Sequence, residues 1–136
     1  MKIVILGCSR VGALLASWLV SQKNEVSIID LDASAFRRLD KDLDVTQIVG
    51  MGVDYDILKK AGIEKANAFI AVTNSDNTNL TAAQIAQGKF KVSKVITRVY
   101  DPKRAKTFEE IGLNIICPTI TATEEIKTFL QKKEGR

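Results

Sequence analysis

The junction that most restricts what this chain can become is Gly7-Cys8-Ser9-Arg10-Val11-Gly12. An apolar run, Lys2-Ile3-Val4-Ile5-Leu6, leads into it. An amphipathic stretch leaves it, with Val11, Leu14, Leu15, Trp18 and Leu19 at helical spacing and expected on the inward face. A second apolar run, Glu25-Val26-Ser27-Ile28-Ile29, then ends at Asp30. Strand, glycine turn, helix, strand and acid, in that order, is the layout of a dinucleotide-binding βαβ unit. The turn is expected to hold a phosphate at a helix N-terminus, where free N–H groups and the helix dipole favour anions.

The rest of the chain repeats the alternation. Strands are expected near Lys2–Gly7, Glu25–Asp30, Val45–Gly50, Ala68–Thr73, Lys94–Val99 and Leu113–Cys117. They are continuous apolar runs, as in parallel strands covered on both faces. Helix starts carry caps: Asp32 for a helix to about Asp42, Asp54 for a short one stopped by Gly62, and Ser75 or Asp76 for one towards Gly88. Asp101-Pro102 opens another, with Phe108 and Ile111 facing inward and Gly112 stopping it. Thr121-Ala122-Thr123-Glu124 reads as a capping box for a last helix carrying Ile126, Phe129 and Leu130. Right-handed crossovers and a phosphate turn after the first strand give an α/β, Rossmann-like doubly wound parallel sheet of order 3-2-1-4-5-6, with helices on both faces. Ligands in such sheets bind outside the C-terminal strand ends where the order reverses.

Composition narrows the function classes. With 136 residues, 46% hydrophobic and 26% charged, one soluble domain over residues 1–136 is expected. No apolar run approaches the roughly 20 residues of a membrane helix. Met1-Lys2 opens on a strand without a signal-peptide pattern, so a cytoplasmic location is the default. The chain has no histidine, which removes the commonest general base and metal ligand; no metal site or catalytic residue is expected. Cys8 and Cys117 fall on strands three spacings of about 4.8 Å apart, about 14 Å in all, too far for a disulfide. Both are expected reduced. The net charge of +4 is mild, and no nucleic acid partner is expected; the basic end, Lys132-Lys133-Glu134-Gly135-Arg136, reads as a frayed tail.

The candidate ligand-binding residues lie at strand ends. Gly7 permits the tight turn, and Gly12 lets the first helix approach the sheet. Ser9 stands where the fingerprint has its middle glycine, and its hydroxyl can reach a phosphate oxygen. Arg10 sets a cation against the helix dipole, which makes most sense beside a bound phosphate. Asp30 accepts from ribose hydroxyls and repels a 2′-phosphate, favouring NAD(H) or an adenine nucleotide over NADP. Gly50-Met51-Gly52 follows the third strand, near the adenine end; a plain glycine turn with Met51 covering the core is the competing reading. Thr73 and Asn74 follow the fourth strand, with Asn79 converging on the same crevice. Arg98 is a charge within an apolar strand. It either reaches a ligand phosphate, pairs with an acid at a subunit contact, or snorkels out at the strand end.

Together these pieces resemble the TrkA N-terminal family, also called KTN or RCK N-terminal domains. The matching stretches include Ile5–Gly12, Val26–Asp32, Ile48–Gly50, Leu58–Ile63, Ala66–Asn74, Asp76–Leu80, Arg98–Pro102 and Ile115–Pro118. The resemblance implies a cytoplasmic, non-enzymatic regulatory subunit of a potassium channel or transporter. It would bind an adenine nucleotide (AMP, ADP or ATP) or NAD(H) and assemble as a homo-oligomer, a dimer or larger. Its partners would be a membrane-embedded potassium channel or transporter subunit and a paralogous regulatory subunit. The family's arginine falls on Arg10, its ribose acid on Asp30 and its strand-four threonine on Thr73. The site expected from residues and resemblance together is Gly7, Cys8, Ser9, Arg10, Val11, Asp30, Leu31, Met51, Gly52, Thr73, Asn74 and Arg98. Ser9 and Met51 depart from the family pattern, the second removing a carboxylate, and leave open how much of a dinucleotide the site holds. The family's usual C-terminal ligand-binding domain is not expected in residues 1–136. A small NAD-dependent oxidoreductase and a structural subunit with a lapsed pocket are the alternatives.

Overall fold

A computed structural model describes residues 1–132; the tail from Lys133 to Arg136 lies outside the described residues. Six parallel strands form one sheet in the order β3-β2-β1-β4-β5-β6. They are β1 (Lys2–Leu6), β2 (Glu25–Asp30), β3 (Thr46–Val49), β4 (Ala68–Ala71), β5 (Lys94–Arg98) and β6 (Asn114–Ile116). The helices are α1 (Arg10–Ser21), α2 (Tyr55–Lys60), α3 (Asp76–Gly88), α4 (Pro102–Glu110) and α5 (Pro118–Gln131). The expected sheet, its strand order and its parallel sense are all present.

Strand alternation divides the core between two faces. Ile3, Ile5, Val26, Ile28 and Ile70 pack with Ala13, Ala16 and Leu19 of α1. Val4, Leu6, Ile29, Phe69 and Val95 pack with Leu58 of α2 and Ala82, Ala83 and Ala86 of α3. The continuous apolar runs are therefore central strands buried on both sides. The edges differ: β3 and β6 are half-exposed and shorter than their apolar runs suggest.

Four local expectations need correction. The inward face of α1 is Gly12, Ala13, Ala16 and Leu19, whereas Val11, Leu14 and Trp18 are exposed. The cause is proximity. A Cβ on Gly12 would collide with the Gly7 carbonyl oxygen, so the helix lies too close to the sheet for a large side chain. The segment after Asp32 is a 3₁₀ turn over Ala33–Arg38, and no α-helix runs on to Asp42. Phe36 and Leu39 are both buried there, and a three-residue turn brings residues three apart onto one side. In α4, Ile111 is exposed. Finally, α5 begins at Pro118 with Cys117 as a cap whose side chain makes no bond to the helix, so Thr121 lies inside the helix and no capping box forms. Proline suits the first helical position because its missing N–H costs nothing there.

No residue of α5 is buried, and Ile126, Phe129 and Leu130 are 58%, 72% and 79% exposed. They do not pack on the chain's own sheet. The remaining caps stand as expected, with Asp54, Ser75 and Asp101 each accepting a backbone N–H of the following turn. Cys8 and Cys117 are free and buried. Among the described residues no helix is long and apolar enough to cross a membrane, and no cluster of metal-ligating side chains occurs.

Candidate functional site

A cleft of about 790 Å³ opens at the C-terminal ends of the strands, between the loops that leave β1 and β4. All twelve expected residues line it: Gly7, Cys8, Ser9, Arg10, Val11, Asp30, Leu31, Met51, Gly52, Thr73, Asn74 and Arg98. The strand order alone explains the convergence, because β1 is flanked by β2 and β4 and the crossovers leave it in opposite directions.

The glycine turn is tightly fitted. Gly7 has φ +105°, and a Cβ there would stand 2.8 Å from the Thr73 backbone nitrogen. Only glycine allows that backbone and that approach. Ser9 caps α1, its Oγ accepting from the Gly12 N–H at 3.1 Å. Its own O–H hydrogen stays free to donate, so the hydroxyl serves the helix and can still meet an anion. Arg10 is the first residue of α1 and is exposed at the mouth. The Cys8 side chain is buried in the core and offers the cleft only its backbone. Burial, and then the nearby Asp30 carboxylate, push its thiol pKa up, so the group stays neutral.

Asp30 does more than end a strand. One carboxylate oxygen accepts from the Cys8 N–H at 2.8 Å and the other from the Asp32 N–H at 2.9 Å. These bonds tie the turn after β1 to the turn after β2. Each oxygen has a further lone pair, so a hydroxyl donor facing the cleft can still be received. Asp32 accepts from the Ser34 N–H at 2.9 Å, and its contact with Ser34 holds its carboxyl pKa below the usual range. Leu31 and Met51 are exposed apolar walls. Met51 therefore faces the cleft and does not cover the core, while Gly52 is buried against Leu6.

The opposite rim is built by Asn79, which sequence reasoning placed on the crevice. It is completely buried behind it. Its Oδ1 accepts from the Thr73 N–H at 2.9 Å and the Thr73 hydroxyl at 2.6 Å. Its Nδ2 donates to the Thr73 carbonyl at 3.0 Å and the Arg98 carbonyl at 2.9 Å. Thr73 is thereby fixed, and Asn74 projects free of it. Arg98 is 6% exposed and does not snorkel. Its Nη2 donates to the Val72 carbonyl at 2.8 Å, the Thr73 carbonyl at 3.1 Å and Asn74 Oδ1 at 3.4 Å.

The model of the TrkA-N domain family matches residues 3–118. The chain belongs to the TrkA-N domain family. The Streptomyces coelicolor protein named Trk system potassium uptake protein TrkA is 45% identical over 113 residues, covering 83% of this chain and 51% of the relative. The protein of that name from Halomonas elongata is 40% identical over 137 residues, covering 96% of this chain and 30% of the relative. The chain thus spans about half the length, or less, of these curated relatives. Among solved structures, the TrkA-N domain of Escherichia coli inner membrane protein ybaL superposes with TM-score 0.83 at 18% identity, covering 96% of both chains. The Shewanella denitrificans Kef CTD in AMP-bound form gives 0.80 at 20% identity, covering 98% of this chain and 84% of that one. GsuK bound to ADP gives 0.79 at 20% identity, over 96% of this chain and 34% of that one. At such identities the likeness is one of fold.

Arg38 and Tyr100 are among the residues of this TrkA-N cleft that were not anticipated. Arg38 donates from Nη1 to the Cys8 carbonyl at 3.0 Å, bringing a second cation beside the glycine turn. Its position in the 3₁₀ turn, eight residues past Asp30, follows no short motif. Tyr100 lines the cleft with its ring 5.0 Å from the Arg98 guanidinium carbon. Tyr100 lies two residues past the end of β5, where strand alternation no longer marks a face.

Proposed function

We propose that this TrkA-N domain is the nucleotide-sensing part of a potassium uptake system. In this reading the cleft binds an adenine nucleotide (AMP, ADP or ATP) or NAD(H), and the bound state biases a membrane-embedded channel or transporter subunit. The observation that carries the reading is the cleft itself. A glycine turn where a side chain would collide, a capped helix N-terminus, Asp30 and two basic rims meet at the one place where the sheet order reverses. Proteins of similar fold include the Kef CTD in AMP-bound form and GsuK bound to ADP, and the curated relatives carry the name of a potassium uptake protein. Phosphate would lie on the turn with Arg10, ribose against Asp30, and the base between Leu31 and Met51.

The output of such a domain is a change of geometry and not turnover. The proposed device is a homo-oligomer, with the apolar side of α5 against a second copy or a paralogous regulatory subunit, working at the cytoplasmic face of the membrane. A nucleotide can shift that assembly only if it binds its two geometries with unequal affinity. Calorimetric titration with AMP, ADP, ATP, NAD⁺ and NADH tests the reading. Saturable binding is expected, weakened about tenfold or more by Asp30→Ala through loss of charge-assisted hydrogen bonds. No heat and no thermal stabilisation with any of the five would overturn it. Steady oxidation of NADH in a substrate screen would instead favour an oxidoreductase.

A further inference from the structure

The end of the sheet opposite the cleft, where the strands begin, carries the chain's positive charge. Lys23 precedes β2, and Lys65 closes the short 3₁₀ turn Ile63–Lys65 before β4. Lys91 precedes β5, and Lys94 is its first residue. Lys59 and Lys60 end α2, just before Gly62, which lies against the Lys2 side chain at the start of β1. β2, β1, β4 and β5 are consecutive in the sheet, so these groups share one floor about 14 Å across, three strand spacings. With Lys89, the C-cap of α3, the exposed lysines there number seven. None has a carboxylate partner, since the ion pairs among the described residues are Lys2–Glu25 and Lys127–Glu124. Among those residues Glu64 is the other acid on the floor; Asp42 and Asp44 before β3, and Glu109 and Glu110 at the end of α4, mark its borders. The surplus on this floor therefore exceeds the net charge of +4 of the whole chain.

Helix dipoles explain part of the pattern, because α1, α2 and α3 all end on this floor and cations suit helix C-termini. They do not explain Lys94, which opens a strand, nor the backbone at Lys23 and Lys91. Lys23 has φ 65° and Lys91 φ 56°, and these are the non-glycine residues in the left-handed region among the described residues. Lys23 directly follows Gln22, the C-cap of α1, at the position where glycine ordinarily ends a helix. A lysine there carries strain that glycine avoids. The two left-handed side chains are thus both lysines on one charged floor, and strain of this kind is kept where a site uses it.

We propose that this floor rests on an anionic lipid surface. Among the described residues it holds no arginine, and its aromatic ring, Phe90, is half-buried against Tyr55. Arginine forks and open rings that stack on bases, the marks of a nucleic-acid surface, are therefore missing from it. Unpaired, flexible lysines spread over a broad area instead suit the diffuse negative field of acidic headgroups. Contact at this end leaves the cleft, at the far end of the strands, facing away from the bilayer and open. The inference needs no nucleotide and stands or falls apart from the nucleotide reading.

Vesicle co-sedimentation without nucleotide tests it, with phosphatidylcholine alone against equal parts phosphatidylglycerol and phosphatidylcholine. Wild type is expected to bind the second and not the first, and to let go as salt rises from about 0.05 M to about 0.5 M. Lys23→Gly with Lys91→Gly relieves the left-handed backbone, so it is expected to melt no lower than wild type. The same variant is expected to bind the anionic vesicles about twentyfold more weakly, at about fivefold per lysine. Lys65→Gln with Lys94→Gln, at positions of ordinary backbone, is expected to weaken binding to the same degree. Lys103→Gln with Lys106→Gln removes equal charge from the exposed side of α4 and is expected to stay within about threefold of wild type. No wild-type binding to the anionic vesicles at low salt would overturn the proposal. Equal loss in the floor and α4 variants would also overturn it, because the attraction would then follow net charge alone. So would tighter binding to mixed-sequence DNA than to the vesicles at equal phosphate concentration, which would make the floor a nucleic-acid surface.

Discussion

A Cβ on Gly12 has nowhere to go, because the Gly7 carbonyl oxygen already occupies the space and both partners are backbone. Gly88, at the end of α3, has nothing within 4 Å of the same added atom. One substitution therefore has opposite consequences at the two positions. Gly12→Ala is expected to cost about 3 kcal/mol or more, by forcing α1 off the sheet. Gly88→Ala is expected to stabilise by about 0.5–1 kcal/mol, by removing helical glycine entropy. Urea unfolding of the two variants checks both signs in one experiment. A neutral Gly12→Ala would mean that the close approach of turn and helix is not tight.

The helices show where packing distance overrides hydrophobic pattern. In α1, Leu14 and Trp18 are on the outside, and Ala13 and Ala16 are on the inside with Leu19. Ala16→Leu is expected to destabilise by about 1–3 kcal/mol through overpacking, whereas Trp18→Ser should change unfolding by less than about 0.5 kcal/mol in the isolated chain. Thermal and urea unfolding of both variants distinguish this from an inward Trp18. The same element shows what a sequence reading recovers. Strands, their order and the cleft residues were legible because parallel β runs and glycine turns leave local marks. The inward side of α1 was not, because periodicity places several apolar residues at helical spacing and only the helix–sheet distance chooses among them. Asn79 was legible as a crevice residue but its bonds to Thr73 and Arg98 were not, and Arg38 beside Cys8 was missed altogether, because such partners are set by tertiary contact. The start of α5 was misplaced because Pro118 outweighed the Thr121–Glu124 pattern.

At the scale of the whole molecule, α5 stands apart. A 14-residue helix with no buried residue gains little from its own domain, and isolated helices of that length are marginal in water. Ile126, Phe129 and Leu130 need a cover, and in the proposed assembly a second copy provides it. Light scattering of the wild type should report a dimer or larger species, and Phe129→Glu with Leu130→Glu should shift it to monomer without lowering the cooperativity of sheet unfolding. A wild type that is monomeric at high concentration would count against assembly through this helix.

In the proposed sensing role, the bonds around Asp30 and Asn79 bear on how a signal would leave the cleft. Asp30 laces together the turns after β1 and β2, and Asn79 laces together the ends of β4 and β5. Each bank of the cleft is thus knotted within itself, and across the gap the banks share the β1–β4 seam and the touch of Gly7 on Thr73. A molecule spanning the gap would act as a stitch between two stiff panels, drawing one towards the other and bending neither. In the proposed sensing role, the change such a stitch would make is in the angle between panels. β6, Pro118 and α5 hang from the outer edge of the second panel, where a small rotation at the seam travels furthest.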